Sequence, residues 1–225
     1  MKHSDIGSLW ERRFGKVDTE FFKSIDEIQR LPLDNKVKIN EFPLVAGQVS
    51  IAKYSCLHWA FTKVLGLAGD FADVGTLRGA SLLWIAKLMK IFQPHSASQI
   101  HAFDWWRDGE EDYTTLHQLA RIQGLSDIIS IHRMDLATEL PHFGNDPIYG
   151  RTHFKYVFMD CGFDAALKQA IPFFWNRLVS GGVMVFDHFG LDNEHETELV
   201  IDLLPDGTKI YSFPFARQPS GYVIK

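Results

Sequence analysis

Three times along the chain an apolar run closes on an acidic residue: GDFADVGTLRGAS from Gly69 to Ser81, QIHAFDWW from Gln99 to Trp106, and KYVFMDCG from Lys155 to Gly162. A buried strand that ends in Asp puts a carboxylate at the carboxyl edge of a parallel sheet, where open α/β folds hold their ligands. A carboxylate there can grip hydroxyls. Gly75 and Gly79 flank the turn out of the first run, so the backbone can bend tightly and approach a ligand with no Cβ in the way. The segment from Ala80 to Phe92 is apolar at helical spacing and presents the amide-rich start of a helix to whatever lies above the sheet. Together these features describe a nucleotide pocket.

Around these runs the chain alternates between strand and helix patterns. Strands are expected near Asp70 to Val74, Gln99 to Asp104, Asp127 to His132, Phe154 to Asp160 and Gly182 to Asp187. Helices are expected from Ala80 to Phe92, Tyr113 to Gln123 and Ala165 to Leu178, the last kinked or broken early by Pro172. Alternation at this pace is the mark of right-handed βαβ crossovers. The end of the chain, KIYSFPFARQPSGYVIK, reads instead as an antiparallel hairpin of Lys209 to Phe213 and Gly221 to Lys225 at the sheet edge. The turn-rich stretch from Leu140 to Phe154 reads as a surface loop. Upstream, an amphipathic helix from Asp18 closes at Leu31 and Pro32, a loop runs to about Pro43, and a helix from Gln48 to Leu67 packs on the sheet or covers its edge. The division expected is an N-terminal helical extension over 1–68, forming a lid or dimer surface, and a ligand-binding domain over 69–225.

Bulk properties narrow the function. At 225 residues the chain can bury a core without disulfides or metal staples, and Cys56 and Cys161 show no paired spacing. Cys161 has no activating neighbours and reads as inert. No run reaches the length of a membrane span and the first residues lack a secretory core, so a cytoplasmic location is expected, with no membrane partner. A net charge of −5 without a basic block argues against a nucleic-acid partner.

The alternating strands, the glycine turn after an acid, the acid closing the second strand and the final hairpin resemble the class I S-adenosylmethionine-dependent methyltransferases: a Rossmann-like, mostly parallel sheet flanked by helices. Asp73 to Ser81, HAFDWW, and the region from Met159 to Gly190 resemble, in order, the motifs of the macrocin O-methyltransferase (TylF-like) group. The resemblance implies S-adenosyl-L-methionine as cofactor. It implies that Asp73 orients the methionine end, with Gly75, Thr76 and Gly79 close by. Arg78 and Ser81 reach its carboxylate, Asp104 accepts from the ribose hydroxyls, Trp105 lies against the adenine, Asp135 meets its amino group, and Asp160 borders the cofactor.

The group holds a divalent ion with an acid after the fourth strand and two adjacent acids after the fifth. This chain offers Asp160, Asp187 and His188, with the histidine where the second adjacent acid would stand. Such a set still suits Mg²⁺ or another divalent metal, tilted towards softer ions by the imidazole. The group also often carries an acid two residues after the first ligand; here that position is Gly162, with Asp164 further on. His188 then serves as ligand or as general base, beside Asp160.

Plainer explanations compete. Asp104 and Asp160 could merely cap helices, and Trp105 or Trp106 could be core aromatics. The acids around His195, namely Asp192, Glu194, Glu196 and Glu198, read as solvated groups in a first helical turn. The first turn lacks G-x-G-x-x-G, which disfavours a nicotinamide enzyme. The expectation is an O-methyltransferase acting on a small hydroxylated acceptor, a sugar hydroxyl first. Its rivals are a catalytically inactive cofactor-binding protein of the same fold and a metal-dependent hydroxylase or oxidoreductase.

Overall fold

The computed structural model describes residues 16–107, 109–190, 196–213, 215–216 and 219–225. The first 15 residues and His195, Asp192 and Glu194 lie outside them.

The described chain opens with three helices, α1 (Lys16–Arg30), α2 (Asn35–Asn40) and α3 (Gln48–Lys63), with a 3₁₀ turn at Phe42–Leu44 before α3. The expected loop to Pro43 therefore contains a short helix. Asp34 caps it, its carboxylate accepting from the Lys36 amide at 2.7 Å.

Alternation then begins: β1 (Asp70–Val74), α4 (Ala80–Phe92), β2 (Ile100–Asp104), α5 (Glu110–Ile122), β3 (Ile129–Arg133), α6 (Leu140–Asn145), β4 (Phe154–Met159), α7 (Asp164–Arg177), β5 (Leu178–Phe186) and α8 (Glu196–Leu203). The chain ends in β6 (Ile210–Ser212) and β7 (Gly221–Ile224). Among the described residues seven strands form one sheet in the order β3-β2-β1-β4-β5-β7-β6, with β1 to β5 parallel. β7 runs antiparallel between β5 and β6, which gives the expected hairpin.

Two expectations need correction. Pro172 does not break α7, which continues to Arg177 with Ala166, Leu167, Ala170, Ile171 and Phe174 buried. That packing outweighs the lost backbone bond. The segment from Leu140 is not simply a surface loop, because α6 buries Leu140 and Phe143.

The pleat sorts side chains into two layers. Phe71, Ala102, Tyr156, Phe158, Val183 and Val185 face α3 and α4, meeting Leu57, Phe61, Leu82 and Ile85. Ala72, Val74, Phe103, Val157, Met184 and Phe186 face the other way, against Phe143, Leu167, Phe174 and Val200. With helices on both faces, the interior strands read as continuous apolar runs rather than alternating ones.

Candidate active site

The strand order reverses direction at β1, which has β2 on one side and β4 on the other. That makes the gap between the carboxyl ends of β1 and β4 the switch point at which an open α/β sheet leaves a crevice. Backbone bonds continue the ladder past the strand ends and align the acids there. The Asp160 amide donates to the Val74 carbonyl at 2.7 Å, the Asp187 amide to Met159 at 3.0 Å, and the Met134 amide to Asp104 at 2.9 Å. Gly75, at φ +87°, lies so close beneath this junction that a Cβ would sit 2.2 Å from the Asp160 carbonyl oxygen. Gly79, at φ +82°, is closed off by Leu116. Both glycines are thus required by the protein's own packing, whatever they offer a ligand.

On the β1 and β2 side, Asp73 is 1% exposed, and neither of its carboxylate oxygens makes a well-formed hydrogen bond. Burial pushes the carboxyl up to about 6, only partly offset by the nearby Ser81 and Thr76 hydroxyls and the Lys53 ammonium. The Thr76 hydroxyl itself donates to the Asp73 backbone carbonyl at 2.9 Å. Asp104 holds the glycine turn in place, accepting from the Leu77 amide at 2.7 Å and the Trp106 amide at 3.2 Å. Leu77 and Trp106 have positive φ, 47° and 44°, a strain these two bonds help to hold.

The tryptophan pair divides its roles. Trp106 is buried and donates from Nε1 to the Leu77 carbonyl at 2.9 Å, while Trp105 is 45% exposed with the Arg107 guanidinium over its ring. Arg78 turns outward, its side chain 73% exposed, and pairs with Asp112 at 2.9 Å. Asp135 lies just past β3, where its carboxylate accepts from the Ala137 amide at 2.9 Å and its own amide donates to Glu139.

On the β4 and β5 side, Asp160, Asp187 and His188 converge, each offering a ligand atom within 4.8 Å of the others. The structure adds two groups. Lys53 reaches in from α3 and sets its Nζ 3.2 Å from Asp187 Oδ1 and 3.5 Å from Asp160 Oδ2. Glu196, at the start of α8, is 3% exposed and places its carboxylate 3.6 Å from His188 Nδ1. Glu196 is therefore not one of a set of solvated acids, as its sequence context suggested. It is the largest influence on His188, whose imidazole is pushed up to about 9, with Asp187 and Asp160 adding to it. Burial, then the Asp187 charge, pushes Asp160 up to about 7, against Lys53 and His188. Burial, then the Glu196 and Asp160 charges, pushes the Cys161 thiol up to about 12.

Asp73, Asp104, Asp135, Asp160 and Asp187 thus share one rim, each at or beside a strand end. Lys53 and Glu196 escaped the sequence reading because each comes from outside the strand-end pattern. Lys53 lies on a helix far upstream and belongs to no motif; only its chemistry at the rim identifies it.

A parallel sheet of this order, closed by an antiparallel hairpin and carrying its acids at the switch point, is the class I methyltransferase fold, the fold that implies S-adenosylmethionine as methyl donor. The methyltransferase-domain family matches residues 72–189, more than half of the chain, and the chain belongs to that family. Among solved structures it is similar to CalS11, a TDP-rhamnose 3'-O-methyltransferase of calicheamicin biosynthesis. The two superpose with a TM-score of 0.79 at 16% identity, over 92% of this chain and 93% of that one. It is also similar to the O-methyltransferase NovP, with a TM-score of 0.65 at 11% identity over 81% of each chain. No curated protein sequence matches the chain significantly. None of the helices among the described residues is long and apolar enough to cross a membrane.

Proposed function

We propose that the protein is an O-methyltransferase whose acceptor is a hydroxyl of a small molecule, a sugar or glycosylated metabolite first, and that it belongs with the macrocin O-methyltransferase (TylF-like) group. Similarity to CalS11 over nearly the whole of both chains supports the sugar assignment, and the order of the motifs supports the grouping. The observation that carries the reading is the orphaned Asp73 carboxylate at the switch point, one strand away from the Asp160 and Asp187 pair. A buried carboxylate with no well-formed hydrogen bond, only the Ser81 and Thr76 hydroxyls and the Lys53 charge nearby, suits a cationic amino group arriving with a ligand.

S-adenosylmethionine, when bound, supplies an activated sulfonium methyl, so the chain's own residues need only bind, align and manage one proton. We assign Asp73 to the methionine end, with Gly75, Thr76, Gly79 and Ser81 around it, and Arg78 to its carboxylate. Asp104 takes the ribose hydroxyls with the acceptor capacity its two backbone bonds leave free, while Trp105 and Asp135 border the adenine.

On the acceptor side Asp160 is the more accessible acid, its side chain 24% exposed against 4% for Asp187. We assign Asp160 the proton of the acceptor hydroxyl, and His188, held charged by Glu196, the positioning of that acid. A divalent ion at Asp160, Asp187 and His188 is what the resemblance implies. Lys53 already pairs with both carboxylates, however, so the residues do not fit an ion in this arrangement, and no step is routed through one. The extension over 1–68 is assigned the lid or dimer surface, a reading supported by the exposed Leu31, Ile39, Phe42 and Leu44.

Calorimetric titration with S-adenosylmethionine, followed by a labelled-methyl assay against nucleotide-linked sugars and glycosides, tests the proposal. Saturable binding and transfer to a sugar oxygen are expected. Absence of cofactor binding overturns the whole reading, and transfer only to non-sugar hydroxyls overturns the sugar assignment.

A further inference from the structure

Asp160 and Asp187 would be expected to face a divalent ion, and in this chain they face an ammonium. Lys53 reaches the rim from α3 past the Phe158 ring, which lies 5.2 Å from its Nζ. Its charge sits 3.2 Å and 3.5 Å from the two carboxylate oxygens, with one partner, Asp187, almost fully buried. Bound Mg²⁺ or Mn²⁺ would approach those same oxygens to about 2.0–2.2 Å. Ion and ammonium would then be neighbours in a poorly solvated space, where like charges repel strongly. Only one of them can hold the pair.

We propose that Lys53 is the resident counter-cation of Asp160 and Asp187, occupying the place of a divalent ion, so that the native protein takes neither Mg²⁺ nor Mn²⁺ there. The inference rests on the reading of this rim as the site of transfer. Under it, an acceptor hydroxyl entering beside Asp160 meets an ammonium, a fixed donor, in place of a Lewis acid. It also follows that the metal site is latent. Removing the ammonium takes away one of the two cationic neighbours of the carboxylates, one of which is buried, and leaves the His188 imidazole within ligand distance of both. Such a set recruits a cation.

The test is Mn²⁺ binding to metal-stripped protein, read by electron paramagnetic resonance and calorimetry. Native protein and Lys53→Arg, which keeps the charge, are expected to bind Mn²⁺ only weakly. Lys53→Met is expected to bind it at least ~100-fold more tightly, and adding Asp187→Ala to Lys53→Met should abolish the gain. Circular dichroism and thermal unfolding establish that each variant is folded. Native protein that binds Mn²⁺ within about threefold of Lys53→Met overturns the proposal, as does a folded Lys53→Met that gains no affinity. Cofactor titration of the native protein is a separate readout: failure there removes the transfer-site reading, whereas the Mn²⁺ series judges Lys53.

Discussion

Two clusters of ionisable side chains are sunk into the same sheet and differ in how they are satisfied. In the first, His101 Nε2 faces the Asp70 carboxylate at 3.3 Å and His101 Nδ1 meets His132 Nε2 at 3.0 Å. The imidazoles stack on each other and on Phe103, walled by Phe143 and Tyr149. With Asp70 accepting from His101, the His101 Nδ1 accepts from His132, and the relay of donors ends on a carboxylate. In the second cluster, Lys53, Asp160, Asp187, His188 and Glu196 are held mostly by charge at 3.2–3.8 Å, and Asp187 Oδ1, His188 Nδ1 and Glu196 Oε2 make ion-pair contacts without a well-formed hydrogen bond. Asp73 beside it has no well-formed hydrogen bond, only the nearby Ser81 and Thr76 hydroxyls. Buried charge alone therefore does not mark a site; buried charge left unsatisfied at the switch point does.

The largest expected effect tests what holds the second cluster in place. Gly75→Ala combines a left-handed backbone with a Cβ 2.2 Å from the Asp160 carbonyl, and neither neighbour is a movable side chain. A loss of about 4 kcal/mol in unfolding free energy is expected, by urea titration. Gly79→Ala has nearly the same φ but meets only the end of Leu116, so about 1–2 kcal/mol is expected. Equal losses would show that backbone strain alone sets both, and that Asp160 is not pinned by this contact.

The two regions should also answer acid with opposite signs. Burial, with His101 alongside, lowers His132 from 6.5 to about 4. The stability this group contributes is present above pH 6.5 and is lost as pH falls through about 4, a change of about 3 kcal/mol. Asp73 is raised from 3.8 to about 6, so its contribution is complete below pH 3.8 and is lost as pH rises through about 6, again about 3 kcal/mol. Between pH 4 and 6 the two offset one another in the native protein. Asp73→Asn should therefore make stability fall on acidification over this range, and His132→Phe should make it rise. Denaturant midpoints measured across the range check both, and parallel profiles for the two variants would abolish the contrast.

How far these regions were legible in the sequence follows from how local their causes are. The glycine turn, β1 and α4 lie where the pattern put them, because an apolar run, an acid and a Gly-x-x-x-Gly spacing act within one segment. The acids at the rim were visible for the same reason: each closes its own strand. Lys53 was not visible, since its role depends on α3 folding back over β4 and β5, a long-range event with no local signature. Glu196 looked like an ordinary first-turn acid until α8 docked it against His188. The histidine stack passed unnoticed because His101 and His132 lie within strands whose apolar character alone explained them.

A smaller effect concerns the cofactor side. Asp104→Ala removes the acceptor for the Leu77 and Trp106 amides together with the proposed ribose contact. About 30-fold weaker S-adenosylmethionine binding is expected by calorimetry, near 2 kcal/mol. Asp104→Asn keeps one acceptor oxygen and should recover part of that loss. If both variants bind as the native protein does, Asp104 serves only the loop.

The smallest effect falls on Arg78. Its pair with Asp112 is an exposed contact at 2.9 Å, and such pairs contribute little because solvent screens them and ordering the side chain opposes them. Arg78→Ala should therefore change unfolding free energy by less than about 0.5 kcal/mol. That small value makes the variant informative about binding. With the fold undisturbed, a loss of cofactor affinity beyond about threefold must come from a lost contact with the cofactor's carboxylate, which requires Arg78 to leave Asp112 when the cofactor arrives. Asp112→Ala then separates the two outcomes. Freeing Arg78 in advance should strengthen binding if the guanidinium is recruited, and should leave affinity unchanged if Arg78 only fastens α5 to the turn.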